Sequence, residues 1–201
     1  MNFTINEKYV CLKNKKYQFN NYFLTPLRKK DIQCIRKWRN NQMSILRQKK
    51  VITKEEQINY FESVVKKDFN KNYPKCILFS FILNEICIGY GGLTNINWDS
   101  KKTELSFLVD DIRYSDSKKY HNDFVSFLKI ITELVFDELN LKKIFTETYD
   151  IRPMHIKILE EMGFKLEKRL KQHVNINGKN VDSLIHGYLQ EQYIEKQKNF
   201  H

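Results

Sequence analysis

Alternation of apolar and polar positions marks strands along much of this chain, and spacings of three and four mark helices. The plainest case lies within residues 103–141. Glu104, Ser106 and Leu108 alternate with Leu105, Phe107 and Val109, which predicts a strand. Phe124, Phe127, Leu128, Ile131, Leu134, Val135 and Leu139 then recur every three or four residues, which predicts one apolar helix face. A strand that feeds a helix N-terminus is a common place to hold a phosphate, because the first turn has free N–H groups. Loops that do this usually contain glycine, and here none lies between Gly92 and Gly163.

The same reading extends in both directions. Residues 9–12 and 16–19 suggest two short strands in a hairpin around residues 13–15, and residues 22–27 an edge or terminal strand closed by Pro26. Ile32, Ile35 and Trp38 give a helix over residues 29–41. Thr53 and Glu56 form a capping box, and the helix it opens continues to about Phe69 through Ile58, Phe61, Val64 and Val65. Residues 76–83 are nearly all apolar, as in a strand buried on both faces. Residues 86–95 make the next strand, and Gly89, Gly91 and Gly92 inside it imply a bulge or a close backbone approach. Residues 142–149 alternate again. Pro153 opens a helix over residues 152–162, with Ile156, Ile158, Leu159 and Met162 inward, and Gly163 ends it. Asn177-Gly178 turns a hairpin between residues 164–176 and 179–189. Residues 190–201 read as a tail or a short helix.

This order predicts an α+β fold, a three-layer arrangement of one mixed, mostly antiparallel sheet flanked by about four helices. Its length of 201 residues suits one domain. The expected division is an N-terminal extension at 1–21, a domain at 22–190 and a tail at 191–201.

Composition narrows the picture. The net charge of +11 points to a polyanionic partner or to a lysine-rich solvated surface. Lysine is spread along the chain with no compact basic arm, which favours the solvated surface and makes nucleic acid an unexpected partner. Cys11, Cys34, Cys76 and Cys87 form no C-x-x-C pair and suggest reduced thiols, three of them buried in apolar runs. No apolar stretch approaches about 18 residues, so no membrane span is expected. With no secretory pattern at the N-terminus, a cytoplasmic location is the default expectation.

Several words carry a resemblance: LTPLRKKDI at 24–32, KWRNN at 37–41, IGYGGLTNINWDSKKTELSFLV at 88–109, FDELNLKKIFTET at 136–148, ILEEMGFKLEKRLKQHV at 158–174 and NGKNVDSLIHGYL at 177–189. In this order the chain resembles the GNAT superfamily of N-acetyltransferases, above all the branches that act on ribosomal-protein N-termini and on nucleotide-linked amino sugars. The resemblance implies a fold, with function to be argued from the site. It implies that the strand at Glu104–Val109 splays from its neighbour, and that the backbone of Phe107, Leu108 and Val109 pairs with the pantetheine of acetyl-CoA. Family members hold the diphosphate with a glycine-rich loop, whose glycine positions fall near Tyr120, Asn122 and Phe124. An Asn early in the fourth helix and a later Tyr acid are replaced by Arg152 and Leu159. Acetyl-CoA as co-substrate would then rely on a longer loop over residues 110–122, with Arg113, Lys118, Lys119, His121, Asn122 and Arg152 as donors.

For chemistry, Glu104 is the candidate base, Glu147 a second carboxylate, and Tyr149 an acid in place of the missing Tyr. His155 is another candidate acid, although a surface helix histidine is the plainer reading. Trp38, Arg39 and Asn40 are candidates to bind the acceptor, Arg39 through a phosphate and Trp38 by stacking. No metal site is expected. Three functions remain open at this point. The first is N-acetyl transfer to a small-molecule amine, a nucleotide-linked amino sugar above all. The others are protein N-terminal acetylation and a catalytically silent binding module. A homodimer is compatible with each.

Overall fold

The computed structural model describes residues 8–198. Eight strands form one sheet in the order β1-β2-β3-β4-β5-β6-β8-β7. They are β1 (Tyr17–Phe19), β2 (Tyr22–Pro26), β3 (Ile77–Leu83), β4 (Ile86–Asn97), β5 (Lys102–Val109), β6 (Lys143–Tyr149), β7 (Lys165–Ile176) and β8 (Lys179–Leu189). All neighbours run antiparallel except β5 and β6. The mixed, mostly antiparallel sheet expected from the sequence is therefore present.

Helices cover both faces. On one face lie α1 (Ile32–Asn41) and α2 (Lys54–Tyr60), the latter continued by a π-turn at Phe61–Val65 and by α3 (Lys66–Asp68). On the other lies α5 (Ser117–Glu133), extended by a π-turn at Leu134–Glu138, and beside it α6 (Pro153–Glu161). The alternation of β5 explains the division: Phe107 stacks on Phe124 and meets Phe127 of α5 at a tilt, while Ser106 faces a cavity walled by α1 and α2. Sandwiched between these layers, β3 is buried over nearly its whole length. The helix α7 (Gln190–Lys198) packs Tyr193 into the core.

Local chemistry sets several boundaries. The Thr53 capping box forms, with Glu56 N–H donating to Thr53 Oγ1 at 3.1 Å and Thr53 N–H to Glu56 Oε2 at 2.9 Å. A Cβ on Gly91 would overlap the Ser106 carbonyl, and Gly92 holds φ at +141° against the Ile77 carbonyl, so β4 lies close to both neighbours. The register slips between Phe81 and Ile82, which pair with Gly89 and Cys87, as a bulge at Ile88.

Other expectations are corrected. The N-terminal hairpin forms between β1 and β2, turning at Asn20 with φ 52°, and residues 9–12 are turns whose Tyr9 and Leu12 enter the core. Because β1 flanks it, β2 is not an edge strand, and of the two positions that suit Pro26 it takes the terminal one, as the last residue of β2. Ile58 and Val64 are exposed, and Gln57, Phe61 and Val65 make the buried face of their helix. Cys11, Cys76 and Cys87 are half-buried rather than buried, Cys34 is exposed, and all four thiols are free. The stretch 110–122 is no loop. Asp110 caps α4 (Asp111–Ser115) by accepting from Ile112 N–H, and Asp116 caps α5 by accepting from Lys119 N–H.

Candidate functional site

The parallel ladder between β5 and β6 stops at the Glu104–Phe145 pair. Beyond it the strands diverge, and a pocket of about 190 Å³ passes through the sheet. Glu104, Ser106, Arg47 and Glu147 line it on the α1 face, and Phe124, Arg152 and His155 on the α5 face. The edge of β5 past Glu104 is left without β6 as a partner.

On the α1 face, Glu104 is buried, accepts from Asn95 Nδ2 at 2.7 Å and ion-pairs with Arg47. Glu147 meets the same guanidinium at 3.3 Å, with His173 Nε2 at 3.7 Å on its other side. Burial opposes the Arg47 charge, yet the Glu104 hydrogen bond and the charges of Glu104 and Glu147 carry its pKa above the ordinary value. Tyr149 closes this wall, its pKa raised by burial and then by the Glu147 charge. Beside it a wider cleft of about 770 Å³ runs between residues 43–49 and the β7–β8 hairpin.

The end of α1 divides its three candidates. Trp38 continues the inward row of Ile32 and Ile35 and is core, so it offers no face to a ligand. Arg39 lines the pocket, donates to Tyr90 Oη and to Gln48 Oε1 at 3.1 Å, and has no carboxylate partner among the described residues. Asn40 is structural. It donates to the Ile52 carbonyl, accepts from Ile52 N–H, both at 2.9 Å, and accepts from Gln48 Nε2 at 2.7 Å. These bonds hold residues 46–52 against the pocket.

On the α5 face, side chains far apart in sequence interlock. Tyr120 Oη lies 2.6 Å from His155 Nδ1 and accepts from Arg152 at 2.9 Å. The Phe124 and His155 rings stack at 4.2 Å between centroids. Burial, followed by the Arg152 and His186 charges, holds His155 well below its ordinary pKa, so the ring is neutral. His155 is thus a buried pocket wall and not a surface histidine. Arg152 precedes Pro153 at the start of α6, is buried, and leaves Nε with no partner and no carboxylate among the described residues.

The other candidate donors are dispersed or already engaged. Arg113 makes two bonds of 2.6 Å to buried Asp123, joining α4 to α5. Lys119 pairs with Asp116 at 3.0 Å and His121 with Glu161 at 2.9 Å. Lys118 and Asn122 point to solvent at the head of α5. The side chains of Phe107, Leu108 and Val109 are core, and the Val109 carbonyl accepts from Gln42 Nε2 at 2.8 Å.

These residues fit the acyl-bearing arm of acetyl-CoA. The freed β5 edge offers backbone donors and acceptors, and the orphaned Nε of Arg152 offers a charged one. At the α5 N-terminus there is no glycine cradle: Asp116 caps the helix, Lys119 pairs with it, and Lys118 is exposed. Arg47 and the Tyr120–His155 contact are absent from the sequence-based site. Arg47 stands among the lysines of RQKK with nothing to single it out, and the contact joins positions 35 residues apart.

Residues 24–185 match the Acetyltransferase (GNAT) domain family. No curated protein matches the sequence with significance. Among solved structures, spermidine N-acetyltransferase from Vibrio cholerae, in complex with CoA and spermine, is similar with a TM-score of 0.74 and 21% identity, over 88% of this chain and 99% of its own. The dodecameric structure of spermidine N-acetyltransferase from Vibrio cholerae in an intermediate state gives 0.72 and 19%, over 89% and 99%. The strands β3 to β7, the opening and the helices α1, α2, α5 and α6 fall inside the family match, and this chain belongs to the GNAT acetyltransferase domain family as an acyl-CoA-dependent N-acetyltransferase.

Proposed function

We propose that the acceptor is a small molecule bearing a primary amine and, near it, an anionic group, a nucleotide-linked amino sugar being the best fit. The observation that carries this reading is the convergence of Glu104 and Glu147 on one cation at the mouth of the opening, with uncompensated Arg39 beside them. Two carboxylates seat an ammonium, and a guanidinium without an acid seats a phosphate or carboxylate. A polycation alone would leave Arg39 unmatched.

Acetyl-CoA supplies an acyl group activated as a thioester. The chain's part is to orient the amine, remove its proton and place donors where negative charge develops. Glu104 is the base, held by Asn95 and lining the opening. Glu147 first shares the ammonium. The free β5 edge faces the opening with its backbone donors. Tyr149 remains protonated through the neutral range, so its hydroxyl serves as a proton donor at the pocket wall. Arg152 lies on the opposite face, where the coenzyme arm would enter.

The test is acetyl transfer from labelled acetyl-CoA to nucleotide-linked amino sugars and to spermidine, compared by kcat/KM. The amino-sugar nucleotide is expected to be preferred by at least about tenfold, or about 1.4 kcal/mol. Preference for spermidine by that margin would reverse the assignment of the acceptor.

A further inference from the structure

Arg47 lies on the irregular stretch between the 3₁₀ turn Met43–Ile45 and the Thr53 cap. Its guanidinium fills the space between two carboxylates of neighbouring strands. The Arg47 side chain is 55% exposed and that of Glu104 only 9%. The cation can therefore leave without disturbing the core, whereas the carboxylate is fixed. Arg47 borders both the opening and the wide cleft beside it, as Glu147 and Tyr149 do, so it lies on the way from the cleft to Glu104.

If Arg47 left and nothing replaced it, Glu104 and Glu147 would face each other with only the His173 ring at 3.7 Å from Glu147, which is unfavourable for two ionised carboxylates. An ammonium restores the balance on their side. The released guanidinium then needs an anion, and its planar fork suits phosphate or carboxylate. We propose that Arg47 selects the acceptor by ion-pair exchange: the acceptor's ammonium displaces its guanidinium from Glu104 and Glu147, and the freed guanidinium joins Arg39 on the acceptor's anionic group. An acceptor with both charges completes the exchange, while a plain amine completes half of it. This rests on the acceptor class proposed above and assigns its discrimination to one side chain.

The test needs binding alone. The full chain is titrated by NMR with O-phosphoethanolamine and with ethanolamine, which share an ammonium and differ in the phosphate. The parent protein is expected to bind the phosphorylated probe at least about tenfold more tightly. Arg47→Gln should reduce that preference to less than about threefold, and Arg47→Lys should retain part of it. Arg47→Gln leaves buried Glu104 with only its Asn95 bond and should lower stability, so its melting temperature is checked, and Arg47→Lys, which keeps the cation, is the control for folding. A preference undiminished in Arg47→Gln would leave the anion to Arg39 alone and overturn the exchange. No preference in the parent would overturn it too. Neither result touches acetyl transfer itself, which is read separately from the CoA-induced rise in melting temperature and from turnover.

Discussion

The two faces of the β5–β6 opening are built on opposite principles. On the α1 face, two carboxylates meet a guanidinium that is half in water. Charge there is matched and exchangeable. On the α5 face, Arg152 is buried with no acid beside it, His155 is neutral, and burial raises the Tyr120 hydroxyl to about 12 although the Arg152 charge pulls it down. Charge there is unmatched and fixed. One face is prepared to trade one cation for another, and the other to receive a polar or anionic arm. A site that joins a cationic amine to an anionic coenzyme requires that asymmetry, and effective electrostatics grow as the surroundings dry out.

The largest effect should come from the α1 face. Glu104→Gln keeps the shape and removes the base, so kcat/KM should fall by about 10²–10⁴. The rise in melting temperature with CoA should be unchanged, because Glu104 does not serve the other face. Turnover at the parent rate would transfer the role of base to another group. Next comes the α5 face. CoA at a hundred times its Kd should stabilise the parent by about 2.7 kcal/mol. Arg152→Met should weaken CoA about tenfold, or about 1.4 kcal/mol, while leaving the ligand-free protein as stable or more so, since it removes a buried unpaired charge. An unchanged CoA response would show that the orphaned guanidinium serves the fold, and the contrast between the faces would fail.

Legibility in the sequence divides along a related line. The Thr53–Glu56 box, the Asn177-Gly178 turn, Pro153 with Gly163, and the crowded glycines of β4 are all written in neighbouring residues, and each forms as expected. The β5–β6 splay was implied by the family resemblance, not by the residues themselves. Arg47 could not be read, because its partners lie 57 and 100 positions away and its own neighbours are also basic. Trp38 reads equally as a stacking face for ligand and as core, and its spacing from Ile32 and Ile35 is the signal that decides for core. The stretch 110–122 looked like a loop because it lacks an apolar period, yet Asp110 and Asp116 are good caps and start a helix each. Asn20-Asn21 was a turn signal that would have set the N-terminal hairpin correctly.

The smallest effect is the most direct probe of the dry face. His155 is held well below its ordinary value of 6.5, while in the unfolded chain it titrates near that value. Below pH 6.5 the unfolded state therefore binds more protons than the folded one. Stability is full above pH 6.5 and falls as pH drops towards the folded pKa, by up to about 1.4 kcal/mol per pH unit. The groups that act on the ring are the Tyr120 hydroxyl, the Arg152 guanidinium, His186 and the stacked Phe124 ring, and none of them favours a proton on it. His155→Phe keeps the stack and leaves Tyr120 bonded to Arg152, so the fold should survive. Urea unfolding at pH 7.5, 6.5 and 5.5 should then show a shallower acid-side loss in His155→Phe than in the parent. His186, also lowered by burial but opposed by Glu160, supplies a second, weaker slope that both proteins share. Identical slopes would mean that His155 is protonated in the fold. The α5 face would then hold two adjacent cations, and its claim to an anionic arm would be stronger while its description as dry and neutral would be lost.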